Sequence, residues 1–240
     1  MNEADRETAS RHQAIWQRFR REPQVTAWTG RLPFPPEVAA TLGFVLPVAD
    51  PAVCGRLQKA VRQLAQTGAR PGDASGCVIP FPRDYWHVTI VPPVFLTDGD
   101  PEPPRLLPRS FAGEALARAR EAVSEQQPFA VSVRGLNAFR EVVVAVPYDG
   151  GRGLELGALL RKAIPNLPER YPDGHDPLPH VSLAQYRRED GLEELAALVE
   201  AARDRDFGGF TVDRVEMYVL PWRDGAPGAV EKHAVPLAKP

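Results

Sequence analysis

The sequence predicts a bilobal α/β (α+β) protein. It would be built from an internal duplication of β-α-β-α-β units around a central groove, with an accessory helix at the N-terminus. Three observations predict this. Runs of β-branched and aromatic residues alternate with amphipathic helical stretches. The order strand, helix, histidine-bearing strand, helix, strand occurs twice, over residues 42–139 and 141–220. The two histidine-bearing strands have nearly the same sequence. A length of 240 residues suits this arrangement. The expected division is an N-terminal helix and proline-rich lead-in over 1–40, then a domain of two lobes, about 41–139 and 140–240.

The elements follow in order. Residues 3–21 carry Ile15, Trp16 and Phe19 at helical spacing beside a highly charged face, the pattern of a helix packed on the body. Pro23, Pro33, Pro35 and Pro36 break the stretch 22–40. Leu42–Val48 is a short apolar run, read as a buried strand. Asp50 and Pro51 start a helix whose inner face is Val53, Leu57, Val61 and Leu64, ending near Gly68. Residues 85–91 (YWHVTIV) are a strand, and the proline-rich stretch 92–109 an irregular excursion. A helix over 111–125 precedes strands at Phe129–Phe139 and Glu141–Pro147. The second round gives a helix over 151–164, a loop over 165–179, the strand His180–Arg187 and a helix over 191–206. Strands at 209–220 and 229–238, separated by a PWRDGAPG turn, close the chain.

Composition narrows the function. The chain is 43% hydrophobic and 25% charged, in the range of soluble globular proteins. With 29 basic and 31 acidic residues the net charge is −2, which argues against a broad DNA-coating surface but leaves room for a small anionic site. Almost all the basic residues are arginine. This reads first as codon usage, and secondly as a supply of bidentate phosphate ligands. No apolar run approaches the roughly 18–20 residues of a membrane span. The charged N-terminal sequence is not that of a signal peptide. Cys54 and Cys77 form neither a disulfide framework nor a zinc motif. The expectation is a cytoplasmic protein with no membrane association, no metal and no cofactor.

The chemistry sits in the two histidine strands, His87-Val88-Thr89-Ile90 and His180-Val181-Ser182-Leu183. Residues i and i+2 of a strand share a face. Each strand therefore offers an imidazole and a hydroxyl side by side over an apolar layer. The hydroxyl can donate to a non-bridging phosphate oxygen. The imidazole can move a proton near neutral pH. Two facing copies supply a base and an acid for in-line displacement at phosphorus without a metal. The competing reading is two core histidines satisfied by neighbouring hydroxyls. By the same parity Tyr85 shares the face of His87, and Tyr186 and Arg188 share that of His180, as candidate substrate contacts. Trp86 points to the core. His175, Trp222 and Arg223 are weaker candidates for the rim of the groove, and His12 and His233 show no partner pattern.

At these residues the chain resembles the two-histidine (2H) phosphoesterase superfamily, which includes bacterial 2′-5′ RNA ligases and 2′,3′-cyclic phosphodiesterases. The run Pro179-His180-Val181-Ser182-Leu183-Ala184 is similar to the family's Pro-His-x-Thr-Leu-Ala, and the resemblance covers about residues 41–238. It implies a bilobal fold with His87 and His180 as acid and base and Thr89 and Ser182 holding phosphate. It also implies metal-independent opening of a 2′,3′-cyclic phosphate on a nucleotide or RNA end, by family habit to a 2′-phosphate. The ligase-like branch carries Arg five residues after the second histidine, where this chain has Gln185 followed by Arg187 and Arg188. The alternatives are 2′-5′ RNA ligation, cleavage of another phosphodiester, and a non-catalytic nucleotide- or RNA-binding module of the same fold.

Overall fold

The computed structural model describes residues 1–29, 35, 37–69, 76–102, 106–171, 177–223 and 226–238. Five helices are formed among them: α1 (Glu3–Arg21), α2 (Pro51–Gln66), α3 (Phe111–Val123), α4 (Arg152–Ala163) and α5 (Leu192–Ala201). The strands of the first half are β1 (Ala40–Pro47), β2 (Val78–Pro80), β3 (His87–Thr97), β4 (Leu106–Pro108) and β5 (Phe129–Ala138). Those of the second are β6 (Val142–Tyr148), β7 (Val181–Tyr186), β8 (Asp206–Val212), β9 (Arg214–Arg223), β10 (Ala226–Pro227) and β11 (Glu231–Pro236).

All the strands join one sheet, whose main path runs β10-β9-β1-β3-β7-β6-β5-β8. The duplication is visible in it, but the halves of the sheet are not the halves of the chain. β5, the last strand of the first repeat, lies between β6 and β8. β9, from the second repeat, pairs with β1 of the first. A cut at residue 139 or 140 therefore leaves each sheet half with strands from the other half of the chain. The two halves meet where β3 pairs antiparallel with β7.

Local chemistry explains most elements. Asp50 caps α2 by accepting from the Ala52 and Val53 amides, with Pro51 in the first turn. Asp149 caps α4 by accepting from the Gly151 and Gly153 amides at 2.8 and 2.9 Å. The inner face of α2 (Val53, Leu57, Val61, Leu64) is almost wholly buried, as its spacing predicts. α4 crosses β3 at Gly157, where a Cβ would lie 2.2 Å from the Ile90 carbonyl oxygen, so only glycine allows this approach.

Two departures from the sequence reading have backbone causes. β3 does not end at Val91 but continues through Pro92 and Pro93 to Thr97. Leu42 pairs with Val94 and Phe44 with Val91, so two prolines oppose the single residue Gly43. That bulge is a place in a strand where missing N–H groups break no ladder. The expected strand 209–220 is two strands, β8 and β9, parted at Asp213.

α1 spans the predicted residues, but its buried stripe is His12, Trp16 and Phe19, with Ile15 only half-buried. It docks on β5 and β6. Trp16 donates to Glu200 of α5 at 2.6 Å and carries the Arg203 guanidinium over its ring. Burying Trp16 and Phe19 is worth roughly 1.5–3 kcal/mol each, enough to hold the helix in place. No helix of the described residues is long and apolar enough to cross a membrane.

Candidate active site

The β3–β7 junction brings the two histidine motifs together. Val88 pairs with Val181. In an antiparallel register this sets His87 opposite Ser182 and Thr89 opposite His180. Extended by one residue to each side, with His180 just before β7, that register gives the four polar residues a rectangle on one face, each imidazole beside the other motif's hydroxyl. The burial pattern agrees: His87, Thr89, His180 and Ser182 are half-buried, while Val88, Ile90, Val181 and Leu183 are buried beneath them.

Burial shifts both imidazoles toward the neutral form, and a backbone hydrogen bond orients His180. His180 donates from Nδ1 to the Leu178 carbonyl at 2.7 Å, which leaves Nε2 for the groove. Its pKa is lowered by burial, with that carbonyl pulling the other way. His87 is lowered to about 4, by burial first and then by the charges of His180 and Lys232, with a backbone contact to Tyr85 pulling the other way. Lys232 of β11 donates to the Asp84 carbonyl and stands 4.0 Å from Glu216.

Aromatic rings flank each histidine. Tyr85 lies 5.0 Å from His87, centroid to centroid, and stacks on Phe81 at 4.8 Å. Tyr218 of β9 stands 6.0 Å from His87. It reaches there by lying over Gly43 of β1, where a Cβ would come within 2.7 Å of its ring and hydroxyl. Phe139 tilts against His180 at 5.1 Å. A cavity of about 500 Å³ opens beside His87, lined by Pro47, Arg83, Asp84, Arg214 and Lys232 among others.

Tyr186, Arg188 and Trp222, also expected near the groove, do not reach it. Tyr186 is fully buried, and its hydroxyl has no hydrogen-bond partner among the described residues. The cause is a bulge: Val143 pairs with Ala184 and Val144 with Ser182, so Leu183 is an extra residue in β7. It resets the alternation, turning Ala184 and Tyr186 inward and Gln185 outward. Arg188 turns away as well. It donates to the Gly68 carbonyl and pairs with Asp190 at 3.0 Å, tying two loops together. Trp222 is buried, donating to Thr41 Oγ1 at 3.3 Å, and Arg223 is exposed. Trp86 is buried, as expected. His175 lies outside the described residues.

Sequence reasoning passed over Tyr218, whose signal is a long-range pairing with a glycine. It also passed over His12, whose signal was local: it lies four residues before Trp16, on the buried stripe of α1. Among the described residues no group of three His, Cys, Asp or Glu side chains could hold a metal ion.

Residues 49–221 match the family model described as the 2′-5′ RNA ligase superfamily. The fold is similar to E. coli LigT complexed with ATP, with a TM-score of 0.50 at 14% identity over 84% of this chain and 99% of that one. E. coli LigT complexed with 3′-AMP gives 0.52 at 15% identity over 82% and 98%. A further structure, described as a phosphoesterase, gives 0.50 at 16% identity over 84% and 99%. No curated protein matches the chain in sequence. The family model spans well over half of the chain and its residues include both histidine strands, so the chain belongs to the 2′-5′ RNA ligase superfamily, the two-histidine phosphoesterases.

Proposed function

We propose that the protein opens 2′,3′-cyclic phosphates on nucleotides or RNA ends by His/His acid–base catalysis, with no metal ion. The observation that supports this best is the rectangle at the β3–β7 junction, set by the pairing of Val88 with Val181. A phosphate seated over it meets hydroxyl donors from Thr89 and Ser182 and an imidazole on each side. His87, lowered to about 4, is neutral at pH 7 and suits the base. His180 takes the role of acid, its Nδ1 tied to the Leu178 carbonyl so that Nε2 is the nitrogen left to meet the leaving oxygen. Water gives its proton to His87 as its oxygen bonds to phosphorus. The bond from phosphorus to the 3′ oxygen breaks, and His180 protonates that oxygen. The product is a 2′-phosphate.

Nucleotide substrates are favoured by two further features. The cavity beside His87 has the size of a small-ligand site, about 300–1,000 Å³, and Tyr85 offers a ring that is 40% exposed. The LigT structures hold ATP and 3′-AMP in a protein of the same fold.

The test is incubation with 2′,3′-cyclic nucleotides in EDTA, following the monophosphate formed. Turnover that survives EDTA is expected. Turnover abolished by EDTA and restored by a divalent ion would overturn the metal-free mechanism. Joining of RNA ends without hydrolysis would replace it with ligation, and tight binding without turnover would replace it with a binding module. A smaller effect tests the placement of the base. Tyr85→Ala is expected to raise KM by about 10-fold with kcat little changed, since stacking on one aromatic ring is worth roughly 1–3 kcal/mol. Steady-state kinetics showing an unchanged KM would remove Tyr85 from the site.

A further inference from the structure

The first helix carries a buried histidine that the reaction above does not use. His12 is almost fully buried. Its Nε2 lies 2.9 Å from the carbonyl oxygen of Pro179, the residue before His180. Its Nδ1 lies 3.0 Å from the Asn137 side-chain nitrogen, which also donates to the His12 carbonyl at 2.8 Å. The Asn137 side-chain oxygen accepts from the Ala138 amide at 2.9 Å. These contacts fix both groups. Only the NH2 end of Asn137 can serve the His12 carbonyl, so Nδ1 of His12 is an acceptor and its proton is on Nε2, donated to Pro179. The His12 ring also stacks on Phe139 at 5.5 Å, and Phe139 lies against His180. Arg11 adds a longer contact to the Pro177 carbonyl at 3.4 Å.

The lead-in to His180 is thus held at consecutive carbonyls. That of Leu178 takes the proton of His180 itself, and that of Pro179 takes the proton of His12. Pro179 and His180 lie just before β7, at the edge of the ladder that begins with Val181. Through His12 the peptide is tied to α1, which lies outside the residues matched by the family model.

We propose that His12 is a positioning residue for His180: its Nε2–H, locked by Asn137, sets the Pro179–His180 peptide and with it the imidazole over the groove. The proposal rests on the reading of His180 as a reacting group. Loss of this support is expected to cost about 10- to 100-fold in activity. A displacement of about 1 Å is enough for the upper figure.

The near-isosteric pair His12→Gln and His12→Met separates positioning from packing. Glutamine carries a donor and an acceptor with nearly the spacing of the two ring nitrogens; methionine fills similar volume with neither. Activity per folded molecule is measured on 2′,3′-cyclic nucleotides below the melting temperature, with the imidazole titration of His180 followed by NMR. His12→Met is expected to lower kcat about 10- to 100-fold with KM nearly unchanged and to shift the His180 titration. His12→Gln is expected to restore both. If His12→Met does not fold, His12→Asn replaces it, since asparagine can meet Asn137 but is too short for the Pro179 carbonyl. A folded His12→Met or His12→Asn with wild-type kcat and an unmoved His180 titration would overturn the proposal. So would equal losses in His12→Gln and the donor-free variant. Full activity in His180→Ala would instead fault the role given to His180. In that case the NMR shift still reports whether His12 positions it.

Discussion

His87→Ala and His180→Ala are each expected to lower kcat/KM by at least about 100-fold, because positioned proton transfer contributes roughly 10²–10⁴. The pairing of Val88 with Val181 puts the two imidazoles on one polar face, and neither can cover for the other across a phosphorus centre. The effects should also fail to add, since a base without its acid leaves little for the second substitution to remove. The pH profile distinguishes the roles. In the free enzyme His87 is lowered to about 4, and His180 is lowered from 6.5. A base that must be neutral and an acid that must be charged give a bell in kcat/KM, here centred on the acid side of pH 6.5. His87→Ala should remove its acid limb and His180→Ala its alkaline limb. The opposite loss would exchange the roles, and unchanged activity in either variant would end the two-histidine mechanism.

What could be read from the sequence was what local pattern encodes. The helix caps, the inner face of α2 and the His-x-Thr/Ser strands needed only a few neighbouring residues. Parity failed where a strand takes an extra residue. Nothing local marks Leu183 as a bulge, so simple alternation gives Tyr186 and Arg188 to the face of His180, where the strand instead puts Gln185. Pro92 and Pro93 read as an interruption because their partner, Gly43, is far off in the chain. That same glycine admits Tyr218 to the groove, a relation that exists only once β9 has paired with β1. His12 differs. Its place on the stripe of Trp16 and Phe19 was visible, but a histidine there had no evident partner until the fold brought Asn137 and Pro179 to it.

The buried position of His12 should also make the protein sensitive to acid. Its pKa is lowered from 6.5 to about 4, chiefly by burial, with the Pro179 carbonyl opposing and the nearby charges of His180, Arg203 and Arg11 adding to the effect. The folded value lies below the unfolded one, so between them the unfolded chain binds a proton that the folded chain does not. Stability is therefore complete above about pH 6.5 and falls as pH drops toward 4. A shift of this size corresponds to roughly 3 kcal/mol, a large part of the 5–15 kcal/mol that typically holds a domain together. His87 and His180 shift the same way and deepen the loss, though their partial exposure weakens their share. Urea unfolding between pH 7.5 and 4.5 should show the midpoint falling with pH at constant slope. In His12→Gln, where position 12 has nothing to titrate, the decline should be shallower by most of that amount. An equally steep decline in His12→Gln would place the acid sensitivity elsewhere. The chemistry explains why the proton is costly: it must enter at Nδ1, against the Asn137 amide that already points a hydrogen there, so charging His12 breaks the contact that holds it to β5.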